Sequence, residues 1–198
     1  MPIRNGEAWG SPSIVEDSWP VVDSDAGMNA HAGFPVRLSG GNLHAALGSP
    51  VPAVAGSACM LLPIDALECT VVNNAGVRVM VAHSDVRVGS WFDRRGLVIL
   101  SNGGIHGGRN VTPRAHPNDG EWDRIDLHAR MGMRERWEAR RRAVTGTHIP
   151  HPCLSVGRFS ETNIENALGQ RLVIDGIDAG RWTSVTARVL VDHTTVCV

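Results

Sequence analysis

Short apolar runs and alternating apolar and polar residues dominate the second half of the chain. Residues 70–72 and 77–81 flank a turn sequence at 73–76 and alternate at period two, which predicts a β-hairpin with its odd-numbered positions buried. The apolar run at 97–100 predicts a buried central strand, and the alternation at 184–191 predicts a last strand. This half of the chain is therefore expected to be mainly β.

One helix is predicted within this β-rich half. Met133, Trp137 and Val144 recur at helical spacing and form a narrow apolar stripe, and Arg136 is expected to face outward with the other arginines around it. Such a basic face fits either a solvated surface or contact with anionic lipid headgroups.

The whole pattern predicts a mainly β fold with some α (α+β). Residues 60–198 are expected to form an antiparallel β-sandwich or a distorted barrel. Residues 36–48 predict a short strand, a Gly-Gly turn and a short helix. A short N-terminal α/β part, residues 1–59, is therefore expected to precede the β domain.

Composition narrows the function classes. The chain has 198 residues, a formal net charge of -1 and a pI near 6.7, so the basic face that nucleic-acid binding needs is not expected. The four cysteines lie far apart without a C-x-x-C pair, which favours reduced thiols and a cytoplasmic protein. The longest apolar stretch, residues 51–64, is interrupted and too short for a transmembrane segment, and the N-terminus lacks a signal-peptide pattern.

A glycine-rich loop follows the strand at 97–100, and a second turn is expected at 118–120. The residues expected to shape the loop are Asn102, Gly103, Gly107 and Gly108.

Two further loop residues, His148 and His151, form an H-x-x-H pattern. The prolines at 150 and 152 exclude a regular helix there, so hydrogen-bonded loop histidines are expected. A zinc site with Cys153 is the alternative.

Several of these segments resemble, in order, the C-terminal domain of the bacterial diacylglycerol kinase and lipid kinase family, to which the sphingosine kinases are related. Residues 97–123 follow its order of strand, Asn-Gly, Gly-Gly, Pro-x-Ala and Asp-Gly, and residues 146–152 are similar to its Gly-x-His-x-x-His-Pro segment. The resemblance covers residues 60–198. It implies that these residues form the family's β-rich domain and that residues 1–59 are a degenerate remnant of its nucleotide-binding lobe.

The resemblance also implies candidate catalytic and nucleotide-binding residues. Asp175 lies where the family has the general base of an Asp-Gly-Glu segment, although Ile177 replaces the glutamate. The alternative is that Asp175 and Gly176 simply form a hairpin turn. The family's phosphate-binding loop is absent, and Gly40, Gly41 and Asn42 are the closest approach to a nucleotide-binding segment.

A magnesium site is implied in the same way. Asp119 corresponds to the second acid of the family's Asp-Asp-Gly segment, and Asp123 could supplement it as an oxygen ligand. The alternative for residues 118–120 is a structural turn.

Three hypotheses follow. The first is a catalytically impaired lipid kinase-like protein, peripheral to the membrane or free in the cytoplasm, that binds a lipid, another apolar ligand or a protein partner. The second is an active lipid kinase that uses ATP and Mg²⁺, with a phosphate-binding segment of its own or one from a separate nucleotide-lobe partner. The third is a homodimeric structural β-module. Fold alone does not decide among them.

Overall fold

The computed structural model describes residues 9–198, and the part of the predicted N-terminal region at residues 1–8 lies outside the described residues. Within the described part the chain forms fifteen strands and two α-helices. The strands are β1 (Ser11–Ile14), β2 (Val21–Val22), β3 (Val36–Leu38), β4 (Ala58–Asn73), β5 (Gly76–Ala82), β6 (Asp85–Gly89), β7 (Leu97–Ser101), β8 (Ile105–His106), β9 (Arg109–Asn110), β10 (Trp122–Leu127), β11 (Leu154–Phe159), β12 (Glu161–Glu165), β13 (Leu172–Ile174), β14 (Ile177–Asp178) and β15 (Ser184–Cys197). The helices are α1 (Gly41–Ala46) and α2 (Met133–Arg142), and two 3₁₀ helices cover Asp25–His31 and Ala143–Thr145.

The strands form two large sheets and one small hairpin. The first sheet has the order β1-β4-β15-β3-β2, with β5 paired to β4 and β12 paired to β15. The second has the order β11-β10-β7-β6-β13-β14, and β8 pairs with β9. Side chains of both large sheets meet in one core, among them Leu67 and Val71 from the first and Leu100, Trp122 and Leu172 from the second. The predicted mainly β, α+β fold with layered antiparallel sheets is confirmed.

The N-terminal segment adds strands to the first sheet. β1 pairs antiparallel with β4, β3 pairs parallel with β15, and β2 pairs parallel with β3. Residues on this segment, including Met28 and Leu43, pack against Ile64 of β4 in a second core. Parallel strands followed by helix α1 give this part the short α/β character expected from the sequence. The division at residue 59 stays a prediction, and β4 runs through it.

The predicted hairpin of β4 and β5 is present, but its buried face changes parity at the turn. Val71 is buried, whereas Val77 and Val79 are more than half exposed. The strands are joined by a two-residue turn that pairs Asn73 with Gly76 and Val71 with Arg78. Residues directly opposite each other share a face, so odd positions of β4 face the same side as even positions of β5. The expectation of odd buried positions is therefore wrong for β5.

Helix α2 forms where it was predicted, with its buried face reversed. Met133, Trp137 and Val144 are 41%, 56% and 57% exposed, while Arg136 is fully buried and Ala139 is 4% exposed. The expected outward orientation of Arg136 is wrong because its guanidinium has backbone acceptors inside the fold. It donates hydrogen bonds to the carbonyl oxygens of residues 91, 93, 128, 129 and 131.

Among residues 9–198, no helix is both long enough and apolar enough to span a membrane.

We expect Arg136→Met to lower the free energy of unfolding by about 3 kcal/mol, because it leaves several buried carbonyl oxygens without donors. Arg142→Met is the matched control on the exposed side of the same helix and should change stability by about 0.5 kcal/mol or less. Urea unfolding followed by tryptophan fluorescence measures both. Equal losses for the two variants would contradict the anchoring role of Arg136.

Candidate functional site

Asp175 lies in the two-residue turn between β13 and β14, where Ile174 pairs with Ile177. Asp175 and Gly176 both have positive φ angles, 45° and 82°, as a type I′ hairpin turn requires. Glycine adopts this conformation freely, whereas aspartate does so at a cost that its surroundings must offset. The turn interpretation thus describes the backbone here, and the proposed role of Asp175 as a general base stays a prediction.

The Asp175 carboxylate is enclosed by hydrogen-bond donors. One oxygen accepts the backbone N–H of His83 at 2.7 Å, and the other accepts the backbone N–H groups of Ser84 and Asp85, both at 3.0 Å, and the Ser84 hydroxyl at 2.8 Å. The Asp175 side chain is 1% exposed. These donors belong to the corner at which the chain leaves β5 and enters β6, so the carboxylate holds that corner.

Asp25 makes a similar contact at the start of helix α1. Its two carboxylate oxygens accept the backbone N–H groups of Asn42 and Leu43 at 2.7 and 3.0 Å. Burial raises the pKa of Asp25, the nearby Asp175 carboxylate adds to the rise, and the two N–H groups oppose it. The amides of the predicted nucleotide-binding segment therefore already have an anionic partner within the chain.

Gly40 and Gly41 allow Asp25 and its segment to come close. A Cβ atom at Gly40 would lie 2.3 Å from the carbonyl oxygen of Asp23, and one at Gly41 would lie 2.4 Å from a carboxylate oxygen of Asp25. The two glycines leave room for these oxygens at the N-terminus of α1. In the structure, atoms of Asp23 and Asp25 therefore occupy the space beside these two glycines.

Asn42 connects this helix terminus to the Asp175 corner. Its side-chain amide donates to a carboxylate oxygen of Asp85 at 3.1 Å, and its side-chain oxygen accepts the backbone N–H of Gly107 at 3.0 Å. Asp85 also contacts Nδ1 of His106. The structure therefore brings the predicted nucleotide-binding and catalytic segments together, through Asp85 and the predicted glycine-rich loop.

The loop residues have distinct roles. The side-chain amide of Asn102 donates to the carbonyl oxygens of Asp65 and His83 at 2.7 and 3.1 Å, which ties the loop to β4 and to the corner between β5 and β6. Gly103 has φ 85°, and a Cβ there would lie 2.9 Å from that of Ala46 on α1. Gly107 and Gly108 form the β8–β9 turn, also with positive φ angles.

The predicted metal ligands form a second polar cluster around an arginine. Arg158 contacts Asp119 through a charged hydrogen bond and Glu121 at 2.9 Å between Nη1 and Oε2. The backbone N–H of Glu121 also bonds to Asp119, so Asp119 belongs to a turn, as the structural alternative expected. One carboxylate oxygen of Asp65 accepts the Gly120 N–H at 2.8 Å.

Asp123 is buried beside this cluster. Burial raises the pKa of Asp123 to about 6, the Arg158 charge opposes the rise, and Asp119 and Glu121 add to it. Asp123 thus combines a buried carboxyl group with a mixed set of neighbouring charges, and the role of Asp119 and Asp123 as magnesium ligands stays a prediction.

The two histidines lie in hydrogen-bonded loops. His148 is 3% exposed and its Nε2 lies 3.1 Å from the carbonyl oxygen of Val111, and burial lowers its pKa. His151 accepts the backbone N–H of Cys153 at Nδ1, so a neutral ring carries its proton at Nε2. Across residues 9–198, no three His, Cys, Asp or Glu side chains are grouped so that they could hold a metal ion.

Sequence reasoning missed four of the residues that organise these clusters, namely Asp25, Asp85, His106 and Arg158. The side-chain contacts that join them to their partners span 17 to 43 positions along the chain. No local spacing rule connects residues that far apart. The one available signal was a carboxylate, Asp85, at the first position of a short strand with two valines, β6.

An apolar cleft lies beside strand β11, at the edge of the second sheet. It has a volume of about 970 Å³. Its lining residues are Pro113, Arg114, Gly146, Ile149, Pro150, His151, Pro152, Leu154 and Val156. Prolines and aliphatic side chains thus supply most of the wall, and one arginine and one histidine supply the polar groups. This composition is typical of a small-molecule site.

The fold resembles solved diacylglycerol kinase structures. A candidate diacylglycerol kinase from Bacillus anthracis strain Sterne matches 89% of this chain and 76% of its own with a TM-score of 0.52 at 12% identity. A diacylglycerol kinase structure from the same strain matches with a TM-score of 0.49 at 13% identity, over 89% of this chain and 74% of its own. Another candidate kinase of that strain matches with a TM-score of 0.41 at 15% identity, over 66% of this chain and only 39% of its own.

Sequence comparisons add no closer relative. No family model matches the chain, and no curated protein matches it. The structural likeness at 12% identity identifies the fold and not the activity. The chain has a diacylglycerol kinase-like fold, as the resemblance in its sequence predicted.

We expect Asp175→Asn to lower the free energy of unfolding by about 3 kcal/mol, because an amide replaces one acceptor oxygen by an N–H₂ group that faces other donors. Asp178→Asn, in the adjacent strand β14, changes an exposed carboxylate that pairs with Arg171 and should lower stability much less, because solvent screens an exposed ion pair. Thermal and urea unfolding measure both. A stable Asp175→Asn protein would contradict the structural role of this carboxylate.

We expect Asp123 to lower stability as pH rises. The pKa of its carboxyl group is about 6 in the folded protein and about 4 in the unfolded chain. Between these pH values the folded state binds more protons than the unfolded state, so the free energy of unfolding falls as pH rises from about 4 to above 6. Asp123→Asn should therefore raise the free energy of unfolding by about 2 kcal/mol at pH 7.5 and by little at pH 4. Urea unfolding at the two pH values measures this, and an equal change at both would contradict it.

Proposed function

We propose that this chain is a diacylglycerol kinase-like protein that binds an apolar ligand with an anionic group and does not transfer phosphate. The observation that carries the proposal concerns the groups to which the kinase hypothesis assigns the binding of phosphate and of magnesium. Charged side chains of the protein itself already contact both. Asp25 holds the amides at the start of α1, and Arg158 holds Asp119.

The first of these contacts argues against a bound nucleotide. A phosphate at a helix N-terminus is bound by free backbone N–H groups. Here the N–H groups of Asn42 and Leu43 point to the carboxylate of Asp25, so a phosphate would have to displace an internal anion. The residues present therefore do not fit the phosphates of ATP.

The second contact argues against a bound magnesium ion. Mg²⁺ is usually bound by one or two carboxylates together with waters and substrate phosphates. The guanidinium of Arg158 already supplies the positive charge next to Asp119 and Glu121. Asp175 adds to this argument, since its oxygens accept four hydrogen bonds and its side chain is almost inaccessible to a substrate hydroxyl.

The apolar cleft supports ligand binding. Its volume of about 970 Å³ is suited to a ligand of fatty-acid size. Arg114 is exposed at the cleft, and the protonated Nε2 of His151 is a hydrogen-bond donor. Together they suit a carboxylate or phosphate group on a ligand whose hydrocarbon part contacts the prolines and aliphatic side chains.

We expect the fluorescent fatty acid cis-parinaric acid to bind with a Kd of about 1 to 10 µM, as its size and apolar contacts suggest, and ATP with Mg²⁺ to give no binding heat. Val156→Glu places a negative charge in the cleft and should weaken fatty-acid binding about tenfold. Fluorescence titration and calorimetry measure the two arms.

Val191→Glu is the matched control, since Val156 and Val191 are exposed strand valines with exposed fractions of 45% and 43% and Val191 lies outside the cleft. Equal weakening by both variants would contradict the cleft as the site. Magnesium-dependent heat with ATP that disappears in Asp119→Asn would instead favour the active lipid kinase.

A further inference from the structure

Helix α2 presents its apolar stripe to solvent. Met133, Trp137 and Val144 lie on the exposed side of the helix and the 3₁₀ turn that extends it, and Phe92 in the β6–β7 loop is 46% exposed. An exposed set of large apolar side chains on neighbouring elements marks an interaction surface. We call the set Phe92, Met133, Trp137, Val144, Arg140 and Arg141 the α2 surface.

Arg136 fixes the arrangement of this surface. Its guanidinium bonds to the carbonyl oxygens of Trp91 and Asp93 on either side of Phe92. The same side chain bonds to the carbonyl oxygens of His128 and Met131 before the helix. The buried arginine therefore holds the β6–β7 loop beside α2, and it keeps the apolar stripe from turning toward the core.

Basic side chains lie directly over the aromatic rings of the α2 surface. The guanidinium carbon of Arg140 is 5.8 Å from the ring centre of Phe92, and that of Arg141 is 5.7 Å from the ring centre of Trp137. Aromatic rings beside arginines are suited to the boundary between lipid headgroups and hydrocarbon, where the ring is partly buried and the charge meets phosphate.

The charge of α2 is also positive where the whole chain is slightly negative. Besides the buried Arg136, the helix carries four arginines and two glutamates, while the whole chain has a net charge of -1. One glutamate, Glu135, accepts the backbone N–H of Gly132 as a helix cap, and the other, Glu138, pairs with Arg134. The positive charge on the stripe side thus remains for an anionic partner.

We propose that the α2 surface docks on the anionic surface of a lipid bilayer. Trp137, Phe92 and Met133 enter the headgroup region, and Arg140 and Arg141 contact lipid phosphates. The contact is peripheral and does not require the apolar cleft to hold a ligand. It follows from the reversal of α2 and not from the kinase-like fold.

The test is flotation of the full chain with vesicles of phosphatidylcholine alone and with equal parts of phosphatidylcholine and phosphatidylglycerol. We expect binding to the mixed vesicles, little to the neutral ones, and a loss at high salt. Arg140→Ala combined with Arg141→Ala should weaken binding about 25-fold, about fivefold for each charge. Trp137→Ala should weaken it about tenfold.

Phe34→Ala and Arg181→Ala are the matched controls, because both side chains are exposed and lie on segments away from α2. Circular dichroism should show that all variants fold. Wild-type protein that stays with the unbound fraction at low salt, or equal losses in the control variants, would overturn the proposal. So would a dimer in sedimentation experiments that Trp137→Ala dissociates, since a second copy would then be the partner of this surface.

Discussion

The hydrogen bonds to the Asp175 carboxylate fix the point at which the chain changes sheets. β5 belongs to the first sheet and β6 to the second, and only two residues, His83 and Ser84, separate them. Without an acceptor, the amides at this corner would be buried and unpaired. Asp175 supplies that acceptor from the turn after β13, so it links the corner to a distant hairpin. The arrangement of the two sheets therefore depends on a carboxylate that the kinase hypothesis assigns to catalysis.

Other buried carboxylates likewise accept backbone N–H groups that would otherwise be unpaired. Asp25 accepts amides at the start of α1, and Asp65 accepts the amides of Gly120 and Asp192. In each place an internal anion satisfies backbone groups that would otherwise need solvent or a ligand. An enzyme that binds phosphate keeps such groups open. The chain uses them for folding, and this is the physical basis for proposing a binding function in place of phosphoryl transfer.

Local patterns predicted the elements more successfully than their orientation. The strands at residues 97–100 and 184–191, the turn at Asp175 and helix α2 follow from apolar patterns and turn residues, and all are present. The buried side of β5 was wrong because a two-residue turn changes parity, a rule that could have been applied to the sequence. The buried side of α2 was wrong because the carbonyl acceptors of Arg136 come from separate loops. No helical periodicity contains that information, and the same is true of the contacts of Asp25 with α1 and of Arg158 with Asp119.

Arg136, like Asp175 and Asp25, recognises main-chain atoms. All five of its acceptors are carbonyl oxygens, which every amino acid provides. The side chains at the five partner positions can therefore change without loss of these contacts, while a shorter or uncharged residue in place of the arginine would lose them. A fold held in this way restricts few positions and tolerates wide sequence divergence.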